Sequence, residues 1–211
     1  MSYIELKNVS KVVKDSKILD SISLSLEKGK IYGFLGSNGS GKTMLFRTIS
    51  GLIRPTSGEV SINDKVIGKE IDFPESCGIT IENTGFWNDQ TGFDNLKNIA
   101  SIKNIVDDRA IMESMERIGL NPQDKRKFRK YSLGMKQKLA LVQAFMESQD
   151  LIILDEPTNS LDEESAIRVR NILREERSRG ATILIASHIS EDIDRLADKK
   201  FKVDLGRVYE I

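Results

Sequence analysis

The chain has 211 residues, 39% of them hydrophobic, which suits a globular protein with a core of its own. Lys plus Arg and Asp plus Glu both total 32, so the formal net charge is zero, and no nucleic acid is expected as a partner. Cys77 is the sole cysteine, which excludes a disulfide framework and a cysteine-built metal site and fits a reducing compartment. No apolar run approaches the ~20 residues that cross a bilayer. Met1-Ser2-Tyr3-Ile4-Glu5 carries no apolar signal region, so service at a membrane calls for spans on another chain. The one basic cluster, 125–130, reads as a solvated surface.

Residues 3–9 and 18–26 read as strands; Ile22, Leu24 and Leu26 alternate with Ser21, Ser23 and Ser25, the period of a half-buried strand. Ile31-Tyr32-Gly33-Phe34-Leu35 is a third, apolar strand. It feeds a glycine-rich stretch after which Met44, Leu45, Phe46 and Ile49 recur at helical spacing, ending near Ser50-Gly51. A loop at 54–58 precedes a short hairpin, 59–62 with 65–67, around Asn63-Asp64, and 78–81 is another strand. From Phe93 to Glu147 the patterns turn helical. Phe93, Leu96, Ile99, Ala100 and Ile102 share one face, as do Ile111, Met115 and Ile118, and a helix is expected over 139–147. Met112, Met115, Met135 and Met146 read as core filler. A strand at 151–154, a helix at 163–179 closed by Gly180, a strand at 182–186, a helix at 191–197 and a hairpin of 201–205 with 208–211 complete the chain. The pattern is an α/β core, 1–88 and 148–211, with a helical insertion at 89–147.

The glycine-rich stretch is Gly36-Ser37-Asn38-Gly39-Ser40-Gly41-Lys42-Thr43, or G-x-x-x-x-G-K-T, in the strand–loop–helix setting of a phosphate-binding loop. Its glycines let backbone N–H groups converge on an anion, and the helix start adds positive partial charge. Lys42 is placed to reach the β- and γ-phosphates and the Thr43 hydroxyl to ligate Mg²⁺. Leu151-Ile152-Ile153-Leu154-Asp155-Glu156 ends an apolar strand in two carboxylates. Alone, that pattern fits a buried strand with a charged end equally well. Beside a phosphate loop, Asp155 would hold Mg²⁺ through water and Glu156 would polarise the attacking water. His188, the sole histidine, follows an apolar strand at the end where open α/β sheets place their ligands. Ser132 either caps a helix or, with Gly134 and the helix start, forms an anion site.

With these residues in place, the chain resembles the ATP-binding subunit of ABC transporters over essentially its whole length. Gly36–Thr43 resembles the Walker A motif, Leu151–Glu156 the Walker B motif with the catalytic glutamate, Ser160-Leu161-Asp162 the D-loop and His188 the switch histidine. Ser132-Leu133-Gly134-Met135 resembles the signature motif, of which Ser132 and Gly134 carry over as γ-phosphate contacts. The resemblance implies a P-loop NTPase fold with a mainly parallel core sheet, an antiparallel β subdomain and an inserted helical subdomain that bears the signature. It implies ATP and Mg²⁺ as cofactors. It also implies a second ABC ATPase subunit, identical or not, closing head to tail on two ATP molecules, and a transmembrane permease as partner. The place implied is cytoplasmic, on the inner face of the cell membrane. Catalysis would fall to Glu156, His188 and Lys42, and metal binding to Thr43, Asp155 and Glu82.

Three features depart from the family pattern. Val13 stands where an aromatic residue usually stacks on adenine, so only aliphatic contact is offered there. Leu133 and Met135 replace signature residues. Glu82 stands where most members carry the Q-loop glutamine; with Thr91–Leu96 it resembles the bacitracin-resistance and lantibiotic-immunity exporters, and the alternative for Glu82 is a solvated surface glutamate. The leading function is an ATPase that drives a separate permease, an exporter in the style of those relatives. The alternatives are a soluble ABC ATPase acting on ribosomes or chromosomes, and a nucleotide-binding regulator without turnover.

Overall fold

The computed structural model describes residues 2–81 and 85–211. Six strands form the central sheet: β3 (Ile31–Leu35), β6 (Cys77–Thr80), β7 (Leu151–Asp155), β8 (Thr182–Ser187), β9 (Lys199–Asp204) and β10 (Arg207–Glu210), in the order β10-β9-β3-β8-β7-β6. All neighbours run parallel except β9 and β10, so the core sheet is mainly parallel, as expected. A second, antiparallel sheet of order β2-β1-β4-β5 is built from β1 (Ser2–Val13), β2 (Ser16–Glu27), β4 (Ser57–Ile62) and β5 (Lys65–Val66).

The period-two alternation of the central strands explains the layers. Ile152 and Leu154 of β7, with Ile183 and Ile185 of β8, face a core shared with the helices α4 (Leu133–Phe145), α5 (Glu163–Ser178) and α6 (Ser190–Leu196). Leu151 and Ile153, with Leu184 and Ala186, face the other way. There they meet Leu45, Phe46 and Ile49 of α1 (Lys42–Ile49) and Leu6, Leu26 and Val60 of the antiparallel sheet. Two further helices, α2 (Gly92–Lys103) and α3 (Asp108–Arg117), lie between β6 and α4 in the chain, followed by a 3-10 turn at Phe128–Lys130. Arg117 ties α3 to α5 through Glu176, at 2.6 Å. α4 crosses β6 at backbone contact distance. A Cβ on Gly78 would stand 1.7 Å from the Ala144 carbonyl oxygen, so that strand position has room for no side chain.

Several boundaries differ from the sequence reading. β1 and β2 extend past 9 and start before 18, because they pair with each other up to a two-residue turn, Lys14-Asp15, both at positive φ (45° and 66°). The helix expected over 139–147 begins at Leu133 and ends at Phe145. α2 begins at Gly92 behind a capping box in which Thr91 and Asp94 satisfy each other's backbone N–H groups. Ile102, expected on the buried face of that helix, is 79% exposed, because two residues past the buried Ala100 is more than half a helical turn and puts it on the opposite face. The terminal hairpin turns at Leu205-Gly206, not at Gly206-Arg207, with Arg207 opposite Asp204. Of the four methionines, Met115 and Met146 are buried, Met135 packs partly buried against the same core, and Met112 is half-buried.

Candidate active site

Strand register brings the motifs together. Leu35 pairs with Ser187 and Asp155 with Ala186, so β3, β7 and β8 end side by side. The loop 36–41, Asp155-Glu156 and His188 all emerge at that C-terminal edge, where α/β sheets bind ligands.

The loop is held from below. Its Gly36 N–H donates to the Ser187 carbonyl at 3.3 Å, and the Gly206 N–H donates to the Ser40 carbonyl at 2.9 Å. A Cβ on Gly36 would stand 2.4 Å from the Val203 carbonyl oxygen, so close approach of β9 requires glycine there. α1 then starts without a side-chain cap: its N-cap is Gly41 and its first turn carries no acidic residue. The first N–H groups of a helix have no intrahelical partner, so those of Lys42, Thr43 and Met44 face the cleft as anion donors. The Lys42 ammonium is 6% exposed as a residue and folds onto the Gly36 and Ser37 carbonyls at 2.7 and 3.1 Å. Ser40 Oγ is buried and makes no hydrogen bond, an orphaned polar atom inside the loop. A cleft of about 480 Å³ opens beside the loop, walled by Asn38, Gly39, Thr43, Ile18, Asp155 and Glu156.

Across the cleft, the Thr43 hydroxyl donates to Asp155 Oδ2 at 2.6 Å, joining helix α1 to the end of β7. The next residue, Glu156, sits at φ 51°, a left-handed conformation that strands do not use and bulky side chains rarely adopt. That turn swings its carboxylate over the end of β8. Oε1 accepts from the His188 N–H at 3.0 Å and lies 2.8 Å from His188 Nδ1, and Oε2 accepts from the Ser187 hydroxyl at 3.3 Å. A carboxylate has no proton to give, so Nδ1 is the donor in this pair.

The second anion candidate is the start of α4. Here Ser132 caps its own helix, its Oγ accepting from the Met135 N–H at 3.2 Å. Leu133 beside it is 71% exposed. A Cβ on Gly134 would be 3.0 Å from the Ser160 carbonyl oxygen, which places this helix start against the turn that leads to Asp162. Asp162 caps α5, accepting from the Ser165 N–H at 2.8 Å. That backbone hydrogen bond holds its carboxyl below the usual carboxylate range.

Val13 lies at the turn end of the β1–β2 hairpin, 40% exposed, and does not line the cleft; Ile18, on the returning strand, does. Tyr32, on the strand that feeds the loop, is 1% exposed, with its hydroxyl bonded to the Glu27 backbone, and offers no face to a base. Glu82 lies outside the described residues. Sequence reasoning missed Ile18 and the Ser187 hydroxyl. The alternation of β2 carried a signal for the first, and nothing local carried one for the second.

This fold and loop set define a P-loop nucleotide hydrolase. The family model described as ABC transporter matches residues 19–159. The uncharacterized ABC transporter ATP-binding protein YybJ of Bacillus subtilis (strain 168) is 47% identical over 97% of this chain and 94% of its own length. The bacitracin transport ATP-binding protein BcrA of Enterococcus faecalis is 36% identical over 92% of this chain, which spans 64% of that relative's length. In fold, the dimeric bacterial ABC transporter cassette MJ0796 superposes with a TM-score of 0.89 at 21% identity, over 99% of this chain and 97% of that one. The chain therefore belongs to the ABC transporter family, as an ATP-binding, ATP-hydrolysing subunit that powers a separate permease. Among the described residues no helix is long and apolar enough to cross a membrane.

Proposed function

We propose that this subunit hydrolyses ATP at the junction of α1, β7 and β8, and that the permease it drives is an exporter. The observation that carries the catalytic reading is the pairing of Thr43 with Asp155 at 2.6 Å beside the Glu156–His188 pair at 2.8 Å, on the rim of one cleft. The uncapped start of α1, the orphaned Ser40 hydroxyl and the buried Lys42 fit a polyphosphate. Lys42 exchanges its carbonyl partners for phosphate oxygens. Among the described residues no group of three or more His, Cys, Asp or Glu side chains is arranged to hold a metal ion by itself. One hydroxyl and one carboxylate, Thr43 and Asp155, suit Mg²⁺, which takes few protein ligands and completes its shell with water and phosphate. When bound, Mg²⁺ neutralises charge on the β- and γ-phosphate oxygens. Glu156 orients and deprotonates the attacking water, and His188 holds the carboxylate in place through Nδ1 while its Nε2 faces the reaction. Glu82 joins the metal set in this reading.

The exporter reading is supported by the likeness to a bacitracin transport protein. A second ABC ATPase subunit closes head to tail, so that Ser132 and Gly134 meet the γ-phosphate held by the opposite loop and Asp162 lies at the same seam; adenine, carried past Ile18 and out of the cleft, reaches Val13. The helical segment 89–147 contacts the permease, which holds the subunit at the inner face of the membrane.

Glu156→Gln tests the catalytic assignment, since it keeps the shape and removes the base. Phosphate release is expected to fall by roughly 10²–10⁴-fold, with ATP and Mg²⁺ still bound. Near wild-type turnover would overturn the assignment.

A further inference from the structure

The turn that carries Glu156 is bonded on two sides by residues that do not line the cleft beside the phosphate loop. On one side Gln137 of α4 donates from Nε2 to the Glu156 and Pro157 carbonyls at 3.2 and 3.1 Å. On the other, the Thr158 hydroxyl donates to Asp192 Oδ2 of α6 at 2.5 Å. Asp192 is fixed in turn: its Oδ1 accepts from Arg170 Nη1 of α5 at 3.0 Å, and Arg170 Nη2 reaches Glu163 at 3.0 Å. Arg170 and Asp192 are 5% and 9% exposed, so the pair is a buried one whose partners must stay together.

The placement of this chain of bonds gives it a function. Thr158 stands two residues after Glu156, and Asp192 stands four after His188. The bond between them therefore joins the two short segments that present the carboxylate and the imidazole. Glu156 needs such support, because its positive φ is unfavourable for a non-glycine residue and persists only where its surroundings impose it. α6 itself does not depend on the bond, since Ile193 and Leu196 bury it against the sheet.

We propose that Thr158 and Asp192, held by Arg170, are positioning residues that set the spacing between Glu156 and His188. They act through those two side chains, so the proposal rests on the catalytic reading of Glu156 and His188. Loss of the bond leaves the phosphate loop untouched and lets the carboxylate drift from the water it must orient.

The test is the steady-state ATPase of the full chain, alone and with its permease. Thr158→Val keeps the shape of the side chain and removes the donor. We expect kcat to fall by roughly tenfold, with KM for ATP and the nucleotide Kd within about twofold. Thr158→Ser is expected to restore most of kcat. In the double variant Thr158→Val with Asp192→Ala, kcat is expected to be no lower than in Asp192→Ala alone, because the Thr158–Asp192 bond is already lost in the single variant. Full kcat in Thr158→Val, a rise in KM at unchanged kcat, or a Ser variant as slow as the Val variant would overturn the proposal. Glu156→Gln assayed in parallel separates the two claims. An active Glu156→Gln sinks the catalytic reading, whereas an inactive one beside a full-rate Thr158→Val sinks the positioning role alone.

Discussion

Helices α1 and α4 both begin at serine- and glycine-rich turns, and both were expected to meet phosphate, yet they start differently. α1 has Gly41 as N-cap, at φ 112°, and no side chain closes its first turn. α4 has Ser132 as N-cap, and that serine already satisfies the Met135 N–H. Around α1 the same chain supplies a buried cation, a hydroxyl and two carboxylates. Beside the start of α4 stand the exposed Leu133 and the Ser160 turn. An open helix start with its own charges is a complete phosphate site. A capped start on the surface is not a complete one, and in the proposed pair its other half belongs to the second chain. The comparison separates what one subunit does, which is bind, from what the proposed pair does, which is hydrolyse.

The largest effect is expected at α1. Lys42→Ala removes the one buried ammonium of the loop and is expected to weaken ATP binding by roughly 10- to 100-fold, as read by nucleotide titration of the single chain. Unchanged affinity would mean that the α1 site is not the phosphate site, and the comparison would fall. A smaller and more selective effect is expected at α4. Ser132→Asp retains a good helix cap and sets a negative charge against the incoming γ-phosphate. ATP binding to the single chain is expected to stay as it is, while turnover of the assembled enzyme falls by roughly tenfold or more. Wild-type turnover would make Ser132 a cap and nothing else. The smallest effect is expected for Ser132→Ala, which loses the cap and about 1 kcal/mol of stability in a denaturant melt. Its turnover should fall less than that of Ser132→Asp, because no repulsive charge is added.

The contrast between the helix starts also marks what the sequence could reveal. The loop before α1 was legible because it is contiguous: G-x-x-x-x-G-K-T, an apolar strand before it and an apolar helical face after it. The central strands were legible from their runs of Leu and Ile, and Asp155, Glu156 and His188 from their place at strand ends. The start of α4 was misplaced by six residues, since Gly134, Lys136, Gln137 and Lys138 give no apolar stripe until Leu139. Ser132 was recognised as a cap, but for a helix drawn too late. The tips of β1 and β2 were cut short because Lys11, Lys14, Ser16 and Lys17 show no alternation; cross-strand pairing, which is not a local property, extends them. Least legible was the bond from Thr158 to Asp192, 34 residues apart, which exists because β8 and α6 fold back over the Glu156 turn. Side chains that hold a catalytic pair from behind carry no motif of their own.

The claim that one chain binds while two hydrolyse is tested most directly by measuring ATPase rate per chain against protein concentration, with mass followed by light scattering. The account expects nucleotide affinity to be constant across the series, and hydrolysis to appear only in samples where paired cassettes form. A strictly monomeric sample that turns over ATP at the full rate would contradict it.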